Sequence, residues 1–131
     1  MIDHTGVTVT DVPRSIAFYE AALAPLGYAV VLRFGDKAAG FGAVRDAQPG
    51  SDPGGDFWVS HGVPQTPRVH VAFRAANHAE VDAFHRTALA AGGRDNGAPG
   101  MRPQYHPGYY AAFVLDPDGH NIEAVFHGSE P

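Results

Sequence analysis

Three side chains stand where a divalent metal could be held. His4 lies in the run 2–10 (IDHTGVTVT), where Val7 and Val9 alternate with His4, Gly6, Thr8 and Thr10. His70 lies in 68–75, where Val71 and Phe73 alternate with His70, Ala72 and Arg74. Glu123 shares the last apolar run with Asn121 and Val125, opposite Ile122, Ala124 and Phe126. Successive strand residues point to opposite faces, so each of the three belongs to the less apolar face of its strand. Two imidazoles and one carboxylate on one side of a metal leave open positions for a substrate. The chemistry would be Lewis-acid polarisation of a bound oxygen, or delivery of a nucleophile or dioxygen. The same residue types also suit a solvated strand glutamate and two satisfied core histidines, and the pattern alone leaves both readings open.

Composition narrows the choice. The chain has 131 residues, 44% of them hydrophobic, enough for one core and too few for two ordinary domains. Cysteine is absent, which excludes disulfides, thiolate catalysis and iron–sulfur clusters and leaves nitrogen and oxygen as the metal donors. The net charge of −5, with Lys37 the only lysine, removes the basic footprint of a nucleic-acid binder. No apolar run reaches membrane-spanning length, and the first residues have neither the basic start nor the apolar stretch of a signal peptide. The expectation is a soluble cytoplasmic protein with no nucleic-acid or membrane partner.

The elements that must position these side chains follow from periodicity. After strand 2–10, Asp11-Val12-Pro13 reads as a helix start, and Ile16, Tyr19, Leu23 and Leu26 make a helical stripe that ends at Gly27. Strands are expected at 28–34, 38–44 and 57–60, with the turn-rich stretch 46–55 between the last two. A strand at 68–75 leads to a helix over 79–91, with Asn77 as its cap and Val81, Phe84 and Ala88 on its inner face. The segment 96–108, with Pro99, Pro103 and Pro107, reads as a loop and a candidate lid. Runs 109–115 and 121–126 flank Asp116-Pro117-Asp118-Gly119 as a hairpin.

His4 and His70, Phe18 and Phe84, Leu23 and Leu89, and Gly27 and Gly93 are each 66 positions apart, which points to an internal duplication. Two strand–helix–three-strand units make eight strands and two helices, an α+β chain.

The opening IDHTGVTVTDVPRSIAFYEAALAPLGY, the middle RVHVAFRAANHAEVDAFHRTALAAGG and the closing YYAAFVLDPDGHNIEAV together resemble the vicinal oxygen chelate superfamily. That superfamily holds glyoxalase I, bleomycin-resistance proteins, fosfomycin-resistance thiol transferases and extradiol dioxygenases. The resemblance implies α+β architecture from two βαβββ modules, about 2–61 and 68–127 within one domain spanning 1–131, forming an incomplete barrel around a cavity. It implies one divalent ion (Fe, Mn, Zn or Ni) on His4, His70 and Glu123, and a homodimer, in some members with modules exchanged between chains. Glyoxalase I has a fourth ligand on the last strand of its first module. Subtracting the repeat from Glu123 gives Phe57, which cannot bind a metal, so the site resembles the three-ligand members.

Around the metal, His106 or Tyr110 could serve as an acid–base group. Arg33 and Arg74 could pair with an anionic substrate, Arg102 lies in the lid segment with Gln104 and Tyr105, and Trp58 could line the substrate cavity. His61 is a marginal neighbour. His78, His85, His120 and His127 are expected to have no role. Two functions compete: a metal-dependent lyase or dioxygenase acting on a small oxygen-rich substrate that chelates the ion, and a metal-free binding protein of the bleomycin-resistance type. In the second, Trp58, Phe57, Tyr109 and Tyr110 would supply stacking surface.

Overall fold

The computed structural model describes residues 1–45 and 53–128. Most of the turn-rich stretch 46–55, residues 46–52, therefore lies outside the described residues. Strand β1 (Thr5–Val9) leads into helix α1 (Val12–Leu23). Asp11 caps that helix, its carboxylate accepting the Arg14 N–H at 3.0 Å, and Pro13 sits in the first turn where no backbone donor is needed. A single 3₁₀ turn, Ala24–Leu26, follows, and Gly27 leaves it at φ 80°, a left-handed conformation that glycine adopts without Cβ strain. Strands β2 (Tyr28–Phe34), β3 (Ala38–Ala43) and β4 (Phe57–His61) complete the first module.

The second module repeats the plan with β5 (His70–Arg74), α2 (His78–Ala90), β6 (Arg94–Met101), β7 (Tyr109–Leu115) and β8 (Asn121–His127). Asn77 caps α2 by accepting the Glu80 N–H, and Glu80 reaches back to the Ala76 N–H, which satisfies two helix-start donors reciprocally. The expected loop and lid over 96–108 needs correction, because residues 94–101 form β6 and only 102–108 connect strands. Gly97, Pro99 and Gly100 hide the alternation there, and the β6–β7 ladder shifts register on either side of Gly97.

Each module forms one mixed four-stranded sheet, ordered β1-β4-β3-β2 and β5-β8-β7-β6. The two sheets are not closed into a barrel. Val7, Val9, Phe57 and Val59 of the first sheet, Phe73, Ile122 and Ala124 of the second, and Ile16, Phe18, Tyr19, Val81 and Phe84 of the helices form a single core. Each sheet thus spends its apolar face on that core, and its other face turns away.

Buried polar bonds join the modules. His120 is fully buried: its Nδ1 accepts the Val69 N–H at 3.1 Å and its Nε2–H donates to the Thr8 carbonyl at 2.9 Å. Tyr19 of α1 donates to Asp116 of the β7–β8 turn at 2.5 Å. The other Asp116 oxygen accepts the Asp118 and His120 N–H groups, which holds the Asp-Pro-Asp-Gly turn shut. His120, assigned no role from sequence, is a structural fastener between modules.

The repeat is not uniform along the chain. Val7 pairs with Val59 and Phe73 with Ala124, so the first strands repeat at 66 while the last strands repeat at 65. The counterpart of Glu123 is therefore Trp58, opposite Gly6, in place of the expected Phe57. Phe57 points into the core, and Trp58 is no more able to bind a metal.

Candidate metal centre

Glu123 occupies the middle of β8, paired with Ala72 of β5 on one side and Phe113 of β7 on the other. Only 2% of it is exposed, so its carboxylate depends on neighbours for the interactions water would have given. Two neighbours supply them. His70, at the start of β5, brings Nε2 to 3.1 Å from Oε1. Tyr109, at the start of β7, donates its hydroxyl to Oε2.

The His70 ring is oriented by its other nitrogen. Nδ1 lies 3.0 Å from the Asn121 carbonyl oxygen, which can only accept, so Nδ1 carries the proton in that bond. In the neutral ring Nε2 then presents a lone pair to the carboxylate. Two electron-rich atoms at this distance repel unless a proton or a cation lies between them. An imidazole fixed by a backbone carbonyl and a carboxylate fixed by a phenol form a donor set suited to a divalent ion. The ring of Phe113 lies over His70, and the Arg102 guanidinium lies 5.5 Å from the centre of the Phe113 ring.

Tyr109 is walled by aromatic neighbours: Tyr105, His106 and His127 pack edge-on against it at 4.9 to 5.3 Å. Its pKa is pushed up to about 12, first by desolvation and then by the bond and charge of Glu123. His106 donates Nδ1–H to the Pro107 carbonyl, so its Nε2 accepts from His127 Nδ1 at 3.0 Å. His127, given no role from sequence, thus belongs with His106 to the wall beside Tyr109.

The remaining sequence candidates fall elsewhere. Tyr110 is not beside Glu123: it points to the opposite side of its strand, bonding Asp82 of α2 and stacking on His78 at 3.8 Å. His78 is correspondingly half-buried. Arg33 lies on the edge strand of the other sheet and is held by the Gly35 carbonyl and Asp36. Trp58 lies over Gly6 and Gly40 and stacks on Phe34. Arg74 lines a cavity of about 430 Å³ with His70, Asp3, Tyr28 and Asp56. Arg102 is bonded to the Ala98 and Gly100 carbonyls. His61 ends β4 and is exposed.

His4 precedes β1, is exposed, and pairs with Asp3 at 2.7 Å. Among the described residues of one chain, no group of three or more His, Asp or Glu side chains could hold a metal ion. One chain brings His70 and Glu123 together and leaves His4 apart.

The profile of the Glyoxalase/Bleomycin resistance protein/Dioxygenase superfamily matches residues 1–124, and the chain belongs to that superfamily. It is similar to a glyoxalase/bleomycin resistance protein from Albidiferax ferrireducens, with 26% identity, TM-score 0.75, and coverage of 96% of this chain and 98% of that one. Lactoylglutathione lyase from Agrobacterium tumefaciens has a similar fold at 19% identity, TM-score 0.67, covering 96% and 92% of the two chains. So does a mutant of the fosfomycin resistance protein FosX from Listeria monocytogenes, at 20% identity, TM-score 0.68 and coverage of 98% and 90%. That FosX structure holds Mn(II) and 1S,2S-dihydroxypropylphosphonic acid. No curated protein matches the chain. No helix among the described residues is long and apolar enough to cross a membrane.

Proposed function

We propose that the chain is a divalent-metal-dependent enzyme, of lyase or dioxygenase type, whose small oxygen-rich substrate chelates the ion. The observation that carries this reading is the approach of His70 Nε2 to the buried Glu123 carboxylate, with each side chain fixed from behind. The bound ion would supply Lewis-acid polarisation of the substrate's oxygens. Asn121 orients the His70 ring, and Tyr109 orients the carboxylate. Phe113 stacks on the His70 ring, and the Glu123 carboxylate is buried, which strengthens the electrostatics at that end of the pair. Membership in a superfamily that includes lyases and dioxygenases supports the reading, and so does Mn(II) in the FosX structure.

Because one chain leaves His4 apart, we place the third donor on a second copy in a homodimer: the partner subunit's His4 faces His70 and Glu123. The alternative of a metal-free binding protein loses part of its proposed stacking surface. Phe57 is buried in the core, and Tyr110 is covered by His78.

The test is metal analysis of protein purified without a polyhistidine tag. Close to one divalent ion per chain is expected, lost in Glu123→Ala. Absence of metal after incubation with Fe, Mn, Zn and Ni in turn, or equal retention by the variant, would overturn the proposal.

A further inference from the structure

The face of β7 and β8 that carries Glu123 is built in register: Tyr109 pairs with His127, Ala111 with Val125, and Phe113 with Glu123. Tyr109 and Glu123 are therefore two rungs apart on one face, too far for two ordinary side chains to meet across the ladder. They meet over the rung Ala111–Val125, which is low on the Tyr109 strand. Ala111 has no side chain beyond Cβ, so the tyrosine ring can lean along the strand toward the carboxylate. Tyr105, His106 and His127 pack edge-on against the ring.

We infer that Tyr109 is the positioning residue for Glu123: its hydroxyl occupies Oε2 and leaves Oε1, the oxygen facing His70, as the single donor offered to a metal. The inference rests on the proposed metal-binding role of His70 and Glu123. A free carboxylate has two equivalent oxygens and can bind an ion through one or both. Here the two oxygens are made unequal. One is engaged by a phenol and the other lies beside an imidazole whose Nε2 points at it. Without the hydroxyl, a buried carboxylate would keep only one partner and could rotate to present both oxygens. Tyr109 thus selects the mode in which Glu123 binds, and with it the number of positions left for substrate.

The test uses Co(II) alone, titrated into the full chain, with Tyr109→Phe and Glu123→Gln compared with the unmodified protein. Tyr109→Phe removes one oxygen atom and keeps the ring, and a thermal melt verifies that it folds. The expected result is one Co(II) per chain in the unmodified protein and none in Glu123→Gln. Tyr109→Phe is expected to bind at unchanged stoichiometry but about tenfold more weakly. Its visible Co(II) bands should also weaken, because added carboxylate coordination lowers their intensity, and a merely structural role would not move them. Equal affinity and equal bands in Tyr109→Phe, with Glu123→Gln still inactive in binding, would overturn this inference alone. No Co(II) binding by the unmodified protein, or full binding by Glu123→Gln, would overturn the metal site and this inference with it. Should Tyr109→Phe fail to fold, Ala111→Val provides the second variant, since a branched side chain on the intervening rung would lift the ring off Oε2. The same loss of affinity and band intensity is expected there, and its absence would overturn the inference.

Discussion

His70 and Glu123 lie on adjacent parallel strands with Nε2 and Oε1 3.1 Å apart, and each is held by a partner of its own. Asn121 anchors the imidazole through a backbone carbonyl, and Tyr109 anchors the carboxylate through a hydroxyl. Both anchors act on the atom not facing the other member of the pair. The facing atoms are therefore free to hold an ion between them, and they repel one another without a proton or cation.

The buried Tyr19–Asp116 bond should contribute to the attachment of α1 to the second module. Tyr19→Phe leaves one oxygen of a 2%-exposed carboxylate without its donor, and a loss of about 1–3 kcal/mol is expected. Urea denaturation monitored by circular dichroism measures it. An unchanged midpoint would show that the bond adds nothing.

His120→Ala should cost more than Tyr19→Phe. The substitution removes a fully buried ring and orphans both the Val69 N–H and the Thr8 carbonyl, so a loss of about 3–5 kcal/mol is expected. Thermal melts of the two variants give the comparison, and a smaller shift for His120→Ala would contradict the ranking.

Tyr28 gives the chain a dependence on alkaline pH. Its hydroxyl donates to Asp56, and desolvation, then the Asp56 charge, push its pKa from 10.0 up to about 12. The folded state therefore holds this proton more tightly than the unfolded state. Its stabilising contribution is complete below about pH 10 and is lost as pH rises toward about 12. Tyr28→Phe should flatten that part of the stability profile, measured by urea midpoints between pH 9 and 12. An identical slope in the variant would sink the assignment.

Gly40 lies where Trp58 and the backbone of Gly54 cross β3. A Cβ there would meet the Gly54 carbonyl oxygen at 1.9 Å and the Trp58 ring at 2.8 Å. Gly40→Ala should destabilise the chain by about 1–3 kcal/mol through overpacking, and should also shift the Trp58 fluorescence. Neither change would follow if the segment over β3 moved aside freely.

Much of the fold was legible in local pattern. The stripe through Ile16, Tyr19 and Leu23, the Asn77 cap, and the turn at Asp116–Gly119 are short-range features, and they mark elements close to where the chain forms them. Strand β6 was not legible, because Gly97, Pro99 and Gly100 erase the alternation by which a strand is recognised and only its pairing with β7 makes it one. The site shows the same division. His70 and Glu123 were picked out by face, which alternation gives. Tyr110 was chosen over Tyr109 because choosing between adjacent residues requires the register. Once Phe113 is known to pair with Glu123, parity puts Tyr109 on the site face and Tyr110 on the helix face. The 65-residue spacing of β4 and β8 was hidden likewise, since counting by the helix repeat lands on Phe57 and pairing lands on Trp58. No local signal could show that His4 stays apart from the other two, because that depends on how distant segments of the chain pack together.

The central claim, a metal held by His70 and Glu123 of one chain and the partner subunit's His4, is tested most directly with a mixed dimer. His4→Ala and Glu123→Gln chains, carrying different tags that bind no metal, are co-expressed and purified through both tags, then titrated with Mn(II). Neither variant alone should bind the ion, whereas the mixed dimer should bind about one ion, half the load of the unmodified dimer, because one of its two sites is intact. No ion in the mixed dimer, or a full load in His4→Ala alone, would contradict the account.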